Sequence, residues 1–133
     1  MGTGTGSVAL AARDTGYPCT HYLARAITFS STANNLVLGI LPAGAVVHRI
    51  SIDVNTAFND SGTEQVRIGT TNGGAEIMAL TSVTSTGVAA GTRVAGYQPP
   101  TVDTVVYVQY VGQNSDATTG AATVIVEFIP RAQ

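Results

Sequence analysis

The sequence predicts an all-β fold, a sandwich of about eight strands. Three observations point there. β-Branched residues abound, with nineteen Thr and sixteen Val in 133 residues, and such side chains suit a pleated sheet. Short apolar runs are separated by clusters of Gly, Pro, Asn, Asp and Ser, the spacing of strands and turns. No stretch repeats at the period of a helix.

Residues 1–20 stand apart as an extended N-terminal arm, ahead of a sandwich domain spanning 21–133. Gly2 to Gly6 alternates Gly with Thr and has little to pack with. Val8 to Ala12 is a short apolar patch, Arg13 to Gly16 a turn, and Tyr17-Pro18 an extended step. Two readings follow: a loose terminus of the common kind, or an arm that docks on a neighbouring subunit, with Val8, Leu10 and Tyr17 as its anchors.

From His21 to Ser30 the chain reads as extended, with Leu23, Ile27 and Phe29 on one face. Thr32 to Asn35 is a polar turn. Leu36 to Leu41 is a short apolar run, stopped by Pro42-Ala43-Gly44. Val46 to Asn55 is the clearest strand. Strict alternation puts Val46, His48, Ile50, Ile52 and Val54 on one face and Val47, Arg49, Ser51, Asp53 and Asn55 on the other. After a turn at Asn59 to Gly62, Glu64 to Gly69 places Val66 and Ile68 inward. Thr71-Asn72-Gly73-Gly74 turns the chain into a short run, Glu76 to Leu80. Thr81 to Gly91 is ambiguous between strand and loop, and Thr92 to Gln98 reads as a strand ended by Pro99-Pro100.

Thr104 to Gly112 carries Val105, Tyr107 and Val111 on one face and Val106, Val108 and Tyr110 on the other. Apolar on both faces, it belongs in the middle of a sheet or at an interface. Ala121 to Pro130 closes the fold, with Val124, Val126 and Phe128 opposite Thr123, Ile125 and Glu127. About eight strands in two sheets suggest an eight-stranded jelly-roll-like β-sandwich. An immunoglobulin-like sandwich is the alternative, weakened by the lack of Trp and of a second Cys.

Charged residues make up 11% of the chain, well below the usual ~25%. The net charge is −2 and all six basic residues are Arg. That balance offers no basic patch for nucleic acid. No apolar run is long enough to span a membrane. The N-terminus lacks a basic region followed by an apolar block, so the expectation is action or assembly beginning in the cytoplasm. The single cysteine, Cys19, excludes an internal disulfide and a cysteine zinc cluster.

Catalytic chemistry is not legible. His21 and His48 sit in strands without metal-ligand spacing, and Cys19 beside His21 lacks further ligands. The loop Asn59 to Glu64 is oxygen-rich but fails the EF-hand spacing. Asp60, Asp103 and Asp116 fall in turns, where Asp bonds local backbone. No phosphate loop or nucleophile elbow is present. The expectation is a non-enzyme with no cofactor and no metal. Arg49 and Arg67 lie on outward strand faces in a chain without Lys, and interfaces enrich Arg while depleting Lys. With Tyr110 and the arm residues Val8, Leu10 and Tyr17, they are the candidate interface residues.

Leu41-Pro42-Ala43-Gly44 followed by the alternating strand to Val54 resembles virion structural proteins of tailed bacteriophages. The Asn-Asp-Ser-Gly loop, Val66-Arg67-Ile68-Gly69-Thr70 and the last hairpin, Val105 to Val111 returning as Ala122 to Phe128, extend the likeness. Over about residues 36–130 the pattern is similar to small jelly-roll capsid cement or decoration proteins. The resemblance implies a protein on the outside of the phage head. It would bridge capsomers of the major capsid protein as a homo-oligomer, dimer or trimer. The alternatives are a head-fibre, tail or spike domain, or a carbohydrate-binding β-sandwich. The sugar reading is weakened by the scarcity of exposed aromatic platforms.

Overall fold

In a computed structural model, residues 20–33 and 35–130 are described. The arm anchors Val8, Leu10 and Tyr17 lie outside them, as does Cys19. The strands are β1 (His21–Thr28), β2 (Val37–Leu41), β3 (Val46–Thr56), β4 (Glu64–Gly69), β5 (Met78–Ser82), β6 (Gly87–Gly91), β7 (Thr104–Gly112) and β8 (Ala121–Ile129). Among the described residues there is no helix.

The strands form two antiparallel sheets ordered β1-β8-β3-β6 and β2-β7-β4-β5. Only β4 and β5 are joined by a hairpin within one sheet; every other connection crosses between sheets. That interleaving of two Greek keys is the jelly roll. The sheets bury their inner faces against each other. Ile27, Val47, Ile50, Ile52, Val54, Val124, Val126 and Phe128 come from the first sheet. Leu38, Leu41, Val66, Ile68, Met78, Val106, Val108 and Tyr110 come from the second. Strands β7 and β8 show the alternation their sequences require, inner residues buried and outer residues partly exposed. Strand β7 lies between β2 and β4, inside its sheet, as its two apolar faces suggest.

Three expectations are corrected. In β3, Val47 pairs with Phe128 and Arg49 with Glu127, leaving His48 as the extra residue of a β-bulge. The bulge reverses the faces ahead of it. Val47 is in the core, whereas Val46 and His48 are exposed. A second bulge at Asn55 ends the regular stretch. Residues 92–98 are not a strand: apart from one bridge between Arg93 and Met78 they are irregular. The eighth strand is β6, within the ambiguous Thr-rich stretch, and β5 begins two residues later than the expected run. Finally, Phe29 lies past the end of β1 and is 37% exposed, while Leu23 only borders the core.

At one end of the sandwich the β3–β4 and β7–β8 loops are tied by Asp60. Its carboxylate accepts backbone N–H bonds from Gly62 (2.8 Å), Asn114 (3.0 Å) and Asp116 (3.1 Å). Asp116 in turn accepts the N–H of Ser61 at 2.8 Å, and Asn59 Oδ1 accepts those of Thr118 and Thr119. Burial alone would raise the Asp60 pKa, but these donors outweigh it and hold the carboxyl below its ordinary value. Beneath the loops, the rings of Tyr110 and Phe58 pack at 4.6 Å between centroids. Gly120 (φ 148°) leaves room for Phe58, which a Cβ there would strike.

Four outcomes are expected from urea or thermal unfolding. Ile52→Ala, at a position fully buried, costs ~2–5 kcal/mol; Val88→Ala, at a position 70% exposed, changes stability by no more than ~0.5 kcal/mol. Tyr110→Phe costs less than ~1 kcal/mol, because the buried phenol oxygen has no protein hydrogen bond among the described residues to lose. Because the folded pKa of Asp60 is depressed, its stabilisation is complete above the unfolded-state value and is lost as pH falls through the folded one. The melting temperature of Asp60→Asn is therefore lower than wild type at neutral pH, and the gap narrows in acid.

Candidate interaction surfaces

The fold leaves two broad outer faces, and the pairing registers define them. On the β1-β8-β3-β6 sheet, partners across the strands fall into rows. One row is Tyr22, Glu127 and Arg49; the next is Ala24, Ile125, Ser51 and Ala90; the third is Ala26, Thr123, Asp53 and Val88. Val46 and Ile129 pair at one end, both exposed. Most of these side chains are small or apolar. Tyr22 is 68% exposed, and an open hollow of about 560 Å³ lies over Ala24, lined also by Thr20, Tyr22, Thr123, Ile125 and Glu127.

Charge on this face is sparse. Arg49 stands exposed beside Glu127, its cross-strand neighbour. Among the described residues, the one ion-pair contact is His48 Nε2 to Glu127 Oε1 at 4.0 Å, and it is partly exposed and weak. Arg49 follows the bulge and alternates with buried Ile50, so it is outward here, where the sequence placed it.

The outer face of the β2-β7-β4-β5 sheet has two parts. Val37, Ile40 and Val105 are exposed at one end, with Tyr107 beside Val37. At the other end, Arg67 lies across from Gln109 and donates to its Oε1, with Nε at 2.9 Å. Gln109 Nε2 donates to the Thr32 carbonyl at 2.7 Å. Arg67 is thus half-buried and held flat. Such an Arg offers a fixed charge to a partner rather than a loose one.

Tyr110 is not on either face. It is 1% exposed, on the inner side of β7. Desolvation first, then the charges of Asp60, Glu64 and Asp116, push its phenol pKa up. It forms part of the wall of a cavity of about 280 Å³ with Phe29, Ser30, Asp60 and Gly112. Its face matched the sequence reading, and that face turned out to be the core. Tyr22, Val37, Ile40, Val88 and Val105 are exposed apolar residues absent from the candidates drawn from sequence. The apolar second face of β7 signalled Val105, whereas the bulge in β2 put both Val37 and Ile40 outward against simple alternation, and Val88 lies in a stretch with no clear strand pattern.

At the far end of the sandwich, Glu76 accepts the Thr70 N–H (2.8 Å) and the Thr71 hydroxyl (2.7 Å). The Thr71 bond is the main reason its carboxyl stays below its ordinary pKa. It folds the β4–β5 hairpin over Gly69 and Gly74, where any side chain would meet it. Among the described residues, no three His, Cys, Asp or Glu side chains converge as metal ligands would, and no helix is long and apolar enough to cross a membrane.

No protein-family model and no curated protein matches the sequence. Solved structures do share the fold. A chain from the acid-stable capsid of Helicobacter pylori bacteriophage KHP30 superposes with a TM-score of 0.64 at 16% identity, covering 87% of this chain and 91% of that one. A chain from the capsid asymmetric unit of cyanophage Pam1 gives 0.61 at 17%, covering 98% and 92%. A chain from the capsid of Ralstonia phage GP4 gives 0.56 at 18%, covering 89% and 87%. At these identities the likeness establishes a shared fold, present nearly whole in chains from three phage capsids.

Proposed function

We propose that this chain is a structural protein of a phage virion. It is a cement or decoration protein on the outer surface of the head, assembled there from the host cytoplasm. The observation that carries this reading is the near end-to-end fold likeness to chains of three phage capsids. The surfaces support it. Two outer faces with few charges and no Lys suit a protein that spends its life assembled.

In this role the chain bridges neighbouring capsomers of the major capsid protein. Packed DNA pushes outward on the shell, and a bridge across capsomers resists their separation. Each contact can be modest, because closed symmetry repeats one patch at many sites and avidity multiplies it. Residues 1–20 serve as an arm that adds contacts along the shell, with Val8, Leu10 and Tyr17 as anchors. Arg49 and Arg67 are the charged contacts offered by the two faces.

Quantitative mass spectrometry of purified virions measures the copy number. Hundreds of copies per particle, with rebinding to stripped heads, are expected. Absence from particles, or a handful of copies, sinks the cement role and favours a fibre, tail or spike part. A variant lacking residues 1–19 retains all eight strands, which begin at His21. It is expected to fold and to bind heads at least ~10-fold more weakly; unchanged binding removes the arm from the reading.

A further inference from the structure

We infer that the outer face of the β1-β8-β3-β6 sheet is the self-association face, and that its occupant is a second copy of this chain. This deepens the reading of the chain as a homo-oligomeric virion part and rests on it. The geometry of the rows carries the inference. A two-fold axis lying in the contact plane, along the row Ala24, Ile125, Ser51 and Ala90, sets each of those residues against its own copy. None is charged and three of the four are small, so two sheets can approach closely; Ser51 is already buried in its own sheet, and Ala24, Ile125 and Ala90 make the contact along the axis.

The flanking rows then exchange. Tyr22, the large residue of its row, meets Ala26 of the second copy; Glu127 meets Thr123; and Arg49 meets Asp53. Each contact occurs twice, as an isologous interface demands. The charges therefore complement themselves. Arg49 has no ion-pair partner among the described residues, and the two-fold supplies one. No like charges face each other directly; Glu127 lies one strand spacing aside from Asp53 of the second copy, with Arg49 adjacent to both carboxylates. A partner of unrelated surface would have to match this pattern by design of its own; a second copy matches it by symmetry.

The area sets the strength. Four strands at ~4.8 Å spacing and about seven residues of length at ~3.4 Å each give roughly 450 Å² of flat face per copy. That is short of the ~800 Å² per partner of a standard stable interface. The dimer is therefore concentration-dependent in solution and is favoured where many copies are held together, as on a shell.

Sedimentation of the full chain at rising concentration, up to about 1 mM, tests this. A monomer–dimer equilibrium is expected. Arg49→Asp and Asp53→Arg, each setting like charges face to face, are expected to weaken the dimer at least ~10-fold, and the double variant to restore it. Ala24→Arg blocks the central row and gives a monomer. Far-ultraviolet circular dichroism confirms that each variant keeps its sheets. A monomer at every concentration, or a dimer indifferent to both charge reversals, overturns the inference. Head rebinding is measured separately. A chain that binds heads but never dimerises refutes this face alone, whereas a dimer that binds no head refutes the virion role and leaves the face standing.

Discussion

Two sheets must cover each other's inner faces, and the rest of the molecule follows from that one constraint. There is no helix among the described residues to lay over a sheet, and a single cysteine cannot staple the chain to itself. Apolar burial between the sheets is therefore the main stabilising term. It works because the chain crosses between sheets at nearly every connection. Residues distant in sequence, such as Ile27 and Val106, belong to the same core. The same constraint fixes what remains outside. Once the inner parity of β8 is assigned to Val124, Val126 and Phe128, then Thr123, Ile125 and Glu127 must face away.

Crossing between sheets takes the chain through loops at both ends of the sandwich, and loops hold backbone polar groups that need partners. With so few charges available, the chain meets that need with short polar side chains. Asp60, Asn59 and Asp116 gather the donors of two loops at one end; Glu76 does so for the hairpin at the other. These carboxylates accept N–H and O–H bonds instead of pairing with Lys or Arg. Such bonds to an ionised acceptor are among the stronger ones. The acidic residues are thereby committed to holding loops, and few charges are left for the outer faces.

How much of this was legible in the sequence depended on the local regularity of each strand. Strands β4, β7 and β8 were readable because none of them carries an extra residue against its neighbours, so one parity holds along each strand. Strand β3 carried the strongest pattern and still misled at its start. A bulge adds one residue without changing the composition, so alternation read through His48 assigns Val46 and Val47 to the wrong faces. Strand β6 was hidden for a different reason. Gly87, Val88, Ala89, Ala90 and Gly91 form a short edge strand, and its pairing with β3, not its own propensity, makes it a strand. Of the interface candidates, Arg49 and Arg67 are outward as read. Tyr110 shows the limit of parity: alternation grouped it with Val106 and Val108 correctly, but a single strand cannot say which of its faces is inside.

The outer faces complete the argument because they break the rule that made the fold readable. A sandwich facing only water alternates apolar with polar. Here Tyr22, Ala24, Ala26, Ile125, Val88 and Ala90 occupy outward positions on one sheet, and Val37, Ile40, Val105 and Tyr107 do so on the other. Scattered exposed apolar residues need no explanation. Residues that align in register across three and four strands do, since a contiguous apolar patch marks an interaction site or a liability. The patch on the first sheet is low in charge, and its small residues Ala24, Ala26 and Ala90 stand beside Tyr22, Ile125 and Val88. A contact of this size is weak pair by pair and gains strength by repetition, which the proposed array of copies on a shell would supply.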